Sequence, residues 1–211
     1  MSGSASSRAV RLDNPLRARD GLTFPSNGRP HADVRPGPYP MGLMAILATV
    51  AMLFAAFTAA LLIRRTGADW TPVELPMIVW VNAVVIVASS VLVELSKRAL
   101  RSDDGIDAPV WLAMASVLGL VFLAGQWMAW RALIAQGLLL PSSPHAAFFY
   151  MLSGVHAAHV LGGLGALGWT LRRAFGGCYT ASSHGGLTHA AIYWHFVGGL
   201  WVYLLMLLSF A

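Results

Sequence analysis

The chain reads as all-α and polytopic: a bundle of five transmembrane helices behind a polar N-terminal tail. Three observations predict this. Of 211 residues, 57% are hydrophobic and only 11% charged, against about 25% charged in a soluble domain. Five stretches approach or exceed the roughly 20 apolar residues that cross a bilayer. The connections between them are short, so consecutive spans run antiparallel in one domain. The mean hydropathy of +0.64 agrees.

Residues 1–40 form the tail. It is rich in proline and carries Arg8, Arg11, Arg17, Arg19, Arg29 and Arg35, with little apolar content. Such a segment cannot bury enough surface to fold alone. It is expected to be extended or disordered, lying over the membrane surface or a partner. It shows no apolar core followed by a small-residue cleavage site, so no signal peptide is expected.

The first span, 41–63, sets Ala51, Ala55 and Ala59 at four-residue spacing. The second, 76–95, starts after Glu74 and ends at Glu94, and holds Asn82 in its interior. The third, 110–130, holds Gln126. Buried amides of this kind bridge helices by hydrogen bonds in lipid. The fourth, 147–171, carries Gly154, Ala158, Gly162 and Ala166, a small-residue stripe that lets another helix backbone come close where lipid supplies no hydrophobic drive. The fifth, 190–210, repeats the idea with Gly198 and Gly199. Tyr150, Trp169, Tyr193, Trp194 and several other aromatics bracket the spans as interface belts, with Trp201 and Trp80 deeper.

Positive residues orient the bundle. The tail, the second loop (Lys97, Arg98, Arg101) and the fourth (Arg172, Arg173) carry eleven of them, and the opposite side only Arg64, Arg65 and Arg131. The positive-inside rule places the N-terminus in the cytoplasm and the C-terminus outside. The formal charge of +5 therefore speaks to topology and not to nucleic acid. A single cysteine, Cys178, excludes an internal disulfide or a cysteine cluster within the chain.

No aspartate or glutamate lies in the middle of a span, whereas a proton-coupled transporter keeps a carboxylate near midplane. This argues against a small transporter. His156 and His159 in the fourth span and His195 in the fifth are the intramembrane titratable groups. Helical rise puts His159 and His195 at similar depth, near each other or near a shared polar partner. Two readings follow: polar pins between the last two helices, or ligands of a b-type haem. No arginine sits at a depth to partner haem propionates, which favours the first. His31, His145, His184 and His189 are expected at solvated loops or helix ends. No catalytic, cofactor or metal site is expected within the chain.

Four motifs, in order, match a known family. They are Leu53-Phe54-Ala55-Ala56-Phe57; Glu74-Leu75-Pro76 with Ser89-Ser90; Phe148-Phe149-Tyr150 followed by Gly154-Val155-His156-Ala157-Ala158-His159-Val160 and Gly163; and Tyr193-Trp194-His195-Phe196-Val197-Gly198-Gly199-Leu200-Trp201. From about residue 40 to its end the chain resembles subunit III of the haem-copper terminal oxidases, in the short five-helix bacterial form. It departs from the family where intramembrane carboxylates are usual. Ile46 stands for the acid of the first helix, Gln126-Trp127-Met128-Ala129 for Glu-x-x-Glu of the third, and Gly198 for the aspartate after Trp-His-Phe. Ala157 replaces the glycine between the histidines.

The resemblance implies an accessory subunit without a redox centre. It would flank catalytic subunit I and its subunit II, whose haem and copper carry electrons from cytochrome c or quinol to oxygen in aerobic respiration. It also implies phospholipid held between helix groups, with His156, His159, Tyr193, Trp194, His195, Trp201, Gln126 and Asn82 as helix-pinning or lipid-cleft candidates. Alternatives are the related subunit of a nitric oxide reductase system and, from a different class, the b-type membrane cytochrome.

Overall fold

The structure is a computed structural model that describes residues 39–101, 108–139, 143–175 and 185–210. All described elements are α-helices: α1 (Tyr39–Arg64), α2 (Met77–Arg101), α3 (Ala108–Ala135), α4 (Pro144–Phe175) and α5 (Gly185–Phe210). Each is long and apolar enough to cross a membrane. Helices are the economical choice there, because every backbone polar group must find its partner within the segment. The tail predicted over 1–40 lies outside the described residues except for Tyr39 and Pro40, which open α1. Cys178, His31 and His184 also lie outside them.

Two helix ends show how the sequence sets boundaries. Ser143 caps α4: its hydroxyl accepts the Ala146 N–H at 3.2 Å and its carbonyl the Ala147 N–H at 3.1 Å. Pro144, with no N–H to leave unpaired, occupies the first helical position. At the end of α3, Gly137 adopts φ +77°. The Leu138 N–H then returns to the Leu133 carbonyl and the Gly137 N–H to Ile134, both at 3.0 Å. This is the Schellman closure, and it needs a residue without Cβ at that turn.

α2, α3, α4 and α5 form a closed ring in which each helix packs on the next and α5 returns to α2. α1 stands outside the ring, against α4 and α5. Along 41–64 it buries only Val50, Phe54 and Leu61, all toward that seam. We call the end of the bundle where α1 starts the N-face and the opposite end the C-face.

Trp194 sits at the centre of the ring. Its side chain is fully buried, and its indole N–H donates to Ser89 Oγ on α2 at 3.1 Å. Ser89 in turn donates to the Ala115 carbonyl on α3 at 2.8 Å. Gly119 on α3 and Gly163 on α4 make room for the ring: a Cβ added at either would lie 2.7 Å and 2.9 Å from indole carbons. One residue from α5 thus fixes the spacing of four helices. Trp194 belongs to the core and not to an interface belt, because ring closure turns its face of α5 inward. Trp80, on the first turn of α2, is 38% exposed on the outside of the ring.

Candidate functional site: a polar core layer and a crevice beside α1

The three span histidines occupy three separate environments. His156 is fully buried. Its ring stacks on Trp201 with centroids 5.0 Å apart and meets the edges of Phe122 at 5.8 Å and Phe54 at 6.4 Å. Neither ring nitrogen has a hydrogen-bond partner. His159, half-buried, donates through Nδ1 to the Val155 carbonyl one turn back on its own helix, at 2.8 Å. Its backbone carbonyl accepts the Tyr193 hydroxyl at 3.2 Å, which joins α4 to α5.

His195 faces α2, where its Nε2 stands 3.7 Å from Glu94 Oε2. The same carboxylate holds Lys97 at 2.8 Å and Arg98 at 4.0 Å. His159 and His195 are therefore not brought together. α5 begins at Gly185, earlier than its predicted start, so His195 lies about 15 Å and His159 about 24 Å from the N-face ends of their helices. Among the described residues no three His, Cys, Asp or Glu side chains converge on a point that would hold a metal ion.

The buried amides divide. Asn82 Nδ2 donates to the Phe122 carbonyl at 3.2 Å, bridging α2 to α3. A Cβ at Gly125 would lie 2.1 Å from its Oδ1, so that glycine is required. Gln126, 1% exposed, has no partner for either amide atom.

The predicted small-residue stripe turns outward. A Cβ on Gly154 would meet nothing within 4 Å, Ala158 and Gly162 are exposed, and Ala166 is half-buried. The close approach within the chain uses Gly163 instead, one residue and so about 100° further round the helix.

His145, expected at a solvated helix end, is 1% exposed. Its Nδ1 accepts the Val73 N–H at 2.7 Å, which leaves Nε2–H to donate to the Leu208 carbonyl at 3.2 Å. Trp70 covers it at 5.2 Å. One imidazole thereby ties the α1–α2 connection, the start of α4 and the end of α5 at the C-face. The signal available in the sequence was Ser143-Pro144, which places residue 145 in a helix and not in a loop.

Between α1 and the ring, Phe54 presses on His159, with centroids at 5.7 Å, and the helices part on either side of this pinch. Toward the N-face opens a crevice of about 480 Å³. Leu43 and Ile46 form one wall, and Gly162, Ala166, Trp169 and Tyr193 the other; Arg173 and His189 also line it. Toward the C-face a second, about 650 Å³, lies between Ala60, Ile63 and Arg64 on one side and Pro144, Ala147 and Phe148 on the other.

Residues 37–210 match the family described as "Cytochrome c oxidase subunit III". The chain is 33% identical to cytochrome c oxidase subunit 3 of Thermostichus vulcanus over 187 residues, covering 84% of this chain and 90% of that one. It is 30% identical to the Synechocystis sp. subunit over 172 residues, 78% of this chain and 72% of that one. The probable cytochrome c oxidase subunit 3 of Mycobacterium tuberculosis is 30% identical over 187 residues, 86% and 92% of the two chains. These matches give no support to the nitric oxide reductase association or the b-type cytochrome. The chain belongs to the cytochrome c oxidase subunit III family and is the accessory subunit III of a haem-copper oxidase.

Proposed function

We propose that this chain flanks catalytic subunit I and its subunit II, supports the catalytic subunit through repeated turnover, and holds phospholipid in the crevice beside α1. Haem and copper belong to the catalytic partner in this reading. The chain would lie in the bacterial inner membrane with the N-face cytoplasmic, as its arginine and lysine distribution indicates.

The crevice toward the N-face carries the lipid reading. Its walls are mostly apolar, and Gly162 and Ala166 on α4 keep one of them smooth. At its N-face end stand Arg173, whose guanidinium suits a phosphate, and His189. Trp169 and Tyr193 line it as amphipathic rings that suit the interface. An acyl chain in the slot with its phosphate at the arginine matches this polarity from end to end. Support of the catalytic subunit follows physically if such lipids fill the gap that α1 leaves against the ring.

The test is lipid analysis of the purified oxidase complex. Arg173→Ala is expected to lower the phospholipid retained per complex while the subunits remain together. Unchanged lipid content would sink the crevice reading. For the supporting role, oxidase lacking this chain should still reduce oxygen but lose activity after fewer turnovers; equal endurance would refute it.

A further inference from the structure

Polar atoms from three helices are enclosed in the C-face half of the ring without hydrogen-bond partners: both amide atoms of Gln126, both ring nitrogens of His156, and Nε1 of Trp201. They share one level. The bond from Trp130 Nε1 to Ser153 Oγ, 3.0 Å, sets the antiparallel register of α3 and α4. One turn toward the N-face from Trp130 stands Gln126, and one turn toward the N-face from Ser153 stands His156. A further turn along α3, Phe122 presents its ring edge-on to both His156 and Trp201, at 5.8 Å and 5.1 Å. Gln126 and His156 therefore stand at about the same level of the ring, and the indole of Trp201 stacks on that imidazole with centroids 5.0 Å apart.

Unpaired polar groups are costly in a core that bulk water cannot reach. Leucine or phenylalanine would fill these positions without that cost, yet the chain keeps three polar side chains at one depth. Their chemistry is complementary to water. The amide NH₂, the indole N–H and one imidazole nitrogen donate, and the amide oxygen and the other imidazole nitrogen accept. An internal water needs two to four such partners. The three side chains bring no carboxylate and no thiolate to the layer, which suits a neutral occupant.

We propose that this layer is a binding site for ordered internal water that bridges Gln126, His156 and Trp201 and so joins α3, α4 and α5. The bridge is independent of the lipid crevice, which lies on the far side of Phe54.

The test uses the intact oxidase complex. A density map at a resolution that shows ordered water should contain a peak at hydrogen-bond distance, about 2.7–3.2 Å, from atoms of at least two of these residues. Gln126→Leu then gives opposite signs under the two possibilities. If water bridges the layer, leucine removes a partner and leaves His156 and Trp201 short of bonds, so the unfolding midpoint falls by roughly 2–4 °C and the peak disappears. If the layer is dry, leucine removes two unpaired atoms and creates none, so the midpoint stays or rises. A map with no peak, a direct bond from Gln126 to His156, or an unchanged or raised midpoint overturns the proposal. Should the Gln126→Leu complex fail to assemble, the map of the unsubstituted complex decides by itself.

Discussion

Gly119→Ala is the sharpest perturbation of the ring. The added methyl would stand 2.7 Å from Trp194 Cη2 and 2.7 Å from Leu164 Cδ2, where carbon pairs rest at about 3.5–4.0 Å. Leu164 can rotate away. Trp194 cannot, because the α4 backbone at Gly163 lies against its other edge, so close that an added Cβ would stand 2.9 Å from the ring, and Ser89 holds its N–H at 3.1 Å. One helix must therefore move outward by roughly 1 Å. Overpacking of this kind costs about 1–3 kcal/mol. At about 2–4 °C per kcal/mol for a chain of this size, the midpoint should fall by roughly 2–12 °C. The assay is thermal unfolding in detergent followed by tryptophan fluorescence. Gly165→Ala is the control, since a Cβ there meets nothing within 4 Å, and the loss of a flexible glycine from a helix should be neutral or stabilising by about 0.5–1 kcal/mol. Trp194→Phe in the Gly119→Ala background removes the clashing carbons, so the two changes should combine to less than their sum. If Gly119→Ala is no worse than the control, or the pair is strictly additive, Trp194 is not the spacer described above.

Three further outcomes are expected. His145→Phe keeps the volume but orphans the Val73 N–H and the Leu208 carbonyl, at about 1–3 kcal/mol for each buried group; His145→Asn, which retains an acceptor for Val73, should lose less in the same melts. His195→Leu leaves Glu94 paired with Lys97, so the midpoint should move by no more than the equivalent of about 1 kcal/mol, with the haem content of the complex unchanged; haem lost from this variant would return the histidines to a ligand role. The Arg64 guanidinium beside Asp69 holds its carboxyl below the usual carboxylate range through a hydrogen bond. What the pair contributes is complete above the ordinary carboxylate pKa of about 4 and is lost as pH falls through the lower folded value. Because both groups lie in solvent at the surface, Asp69→Asn should leave the neutral-pH midpoint unmoved.

Five helices were legible because length and hydropathy alone decide whether a segment spans lipid. The family was legible because its motifs are local strings. What local strings lack is the direction in which a helix face turns. The four-residue stripe of Gly154, Ala158, Gly162 and Ala166 is real in sequence, yet Gly163 carries the contact, and only ring closure selects between two faces about 100° apart. The same closure moved Trp194 from the belt to the centre. Burial of His145 depends on partners 72 and 63 residues away, beyond any periodicity. His195 and His159 separated because equal depth was reckoned from approximate ends, and a helix that starts earlier shifts every later residue by about 1.5 Å per position.

The most direct measurement is the optical spectrum and metal content of material purified through an affinity tag on this chain. The expected result is a complex whose haem and copper are stoichiometric with a co-purifying catalytic polypeptide, with no Soret absorbance on this chain once the subunits are separated. A chain that keeps one haem of its own after separation, or that purifies free of any haem-copper polypeptide, would contradict its assignment as a non-redox accessory subunit.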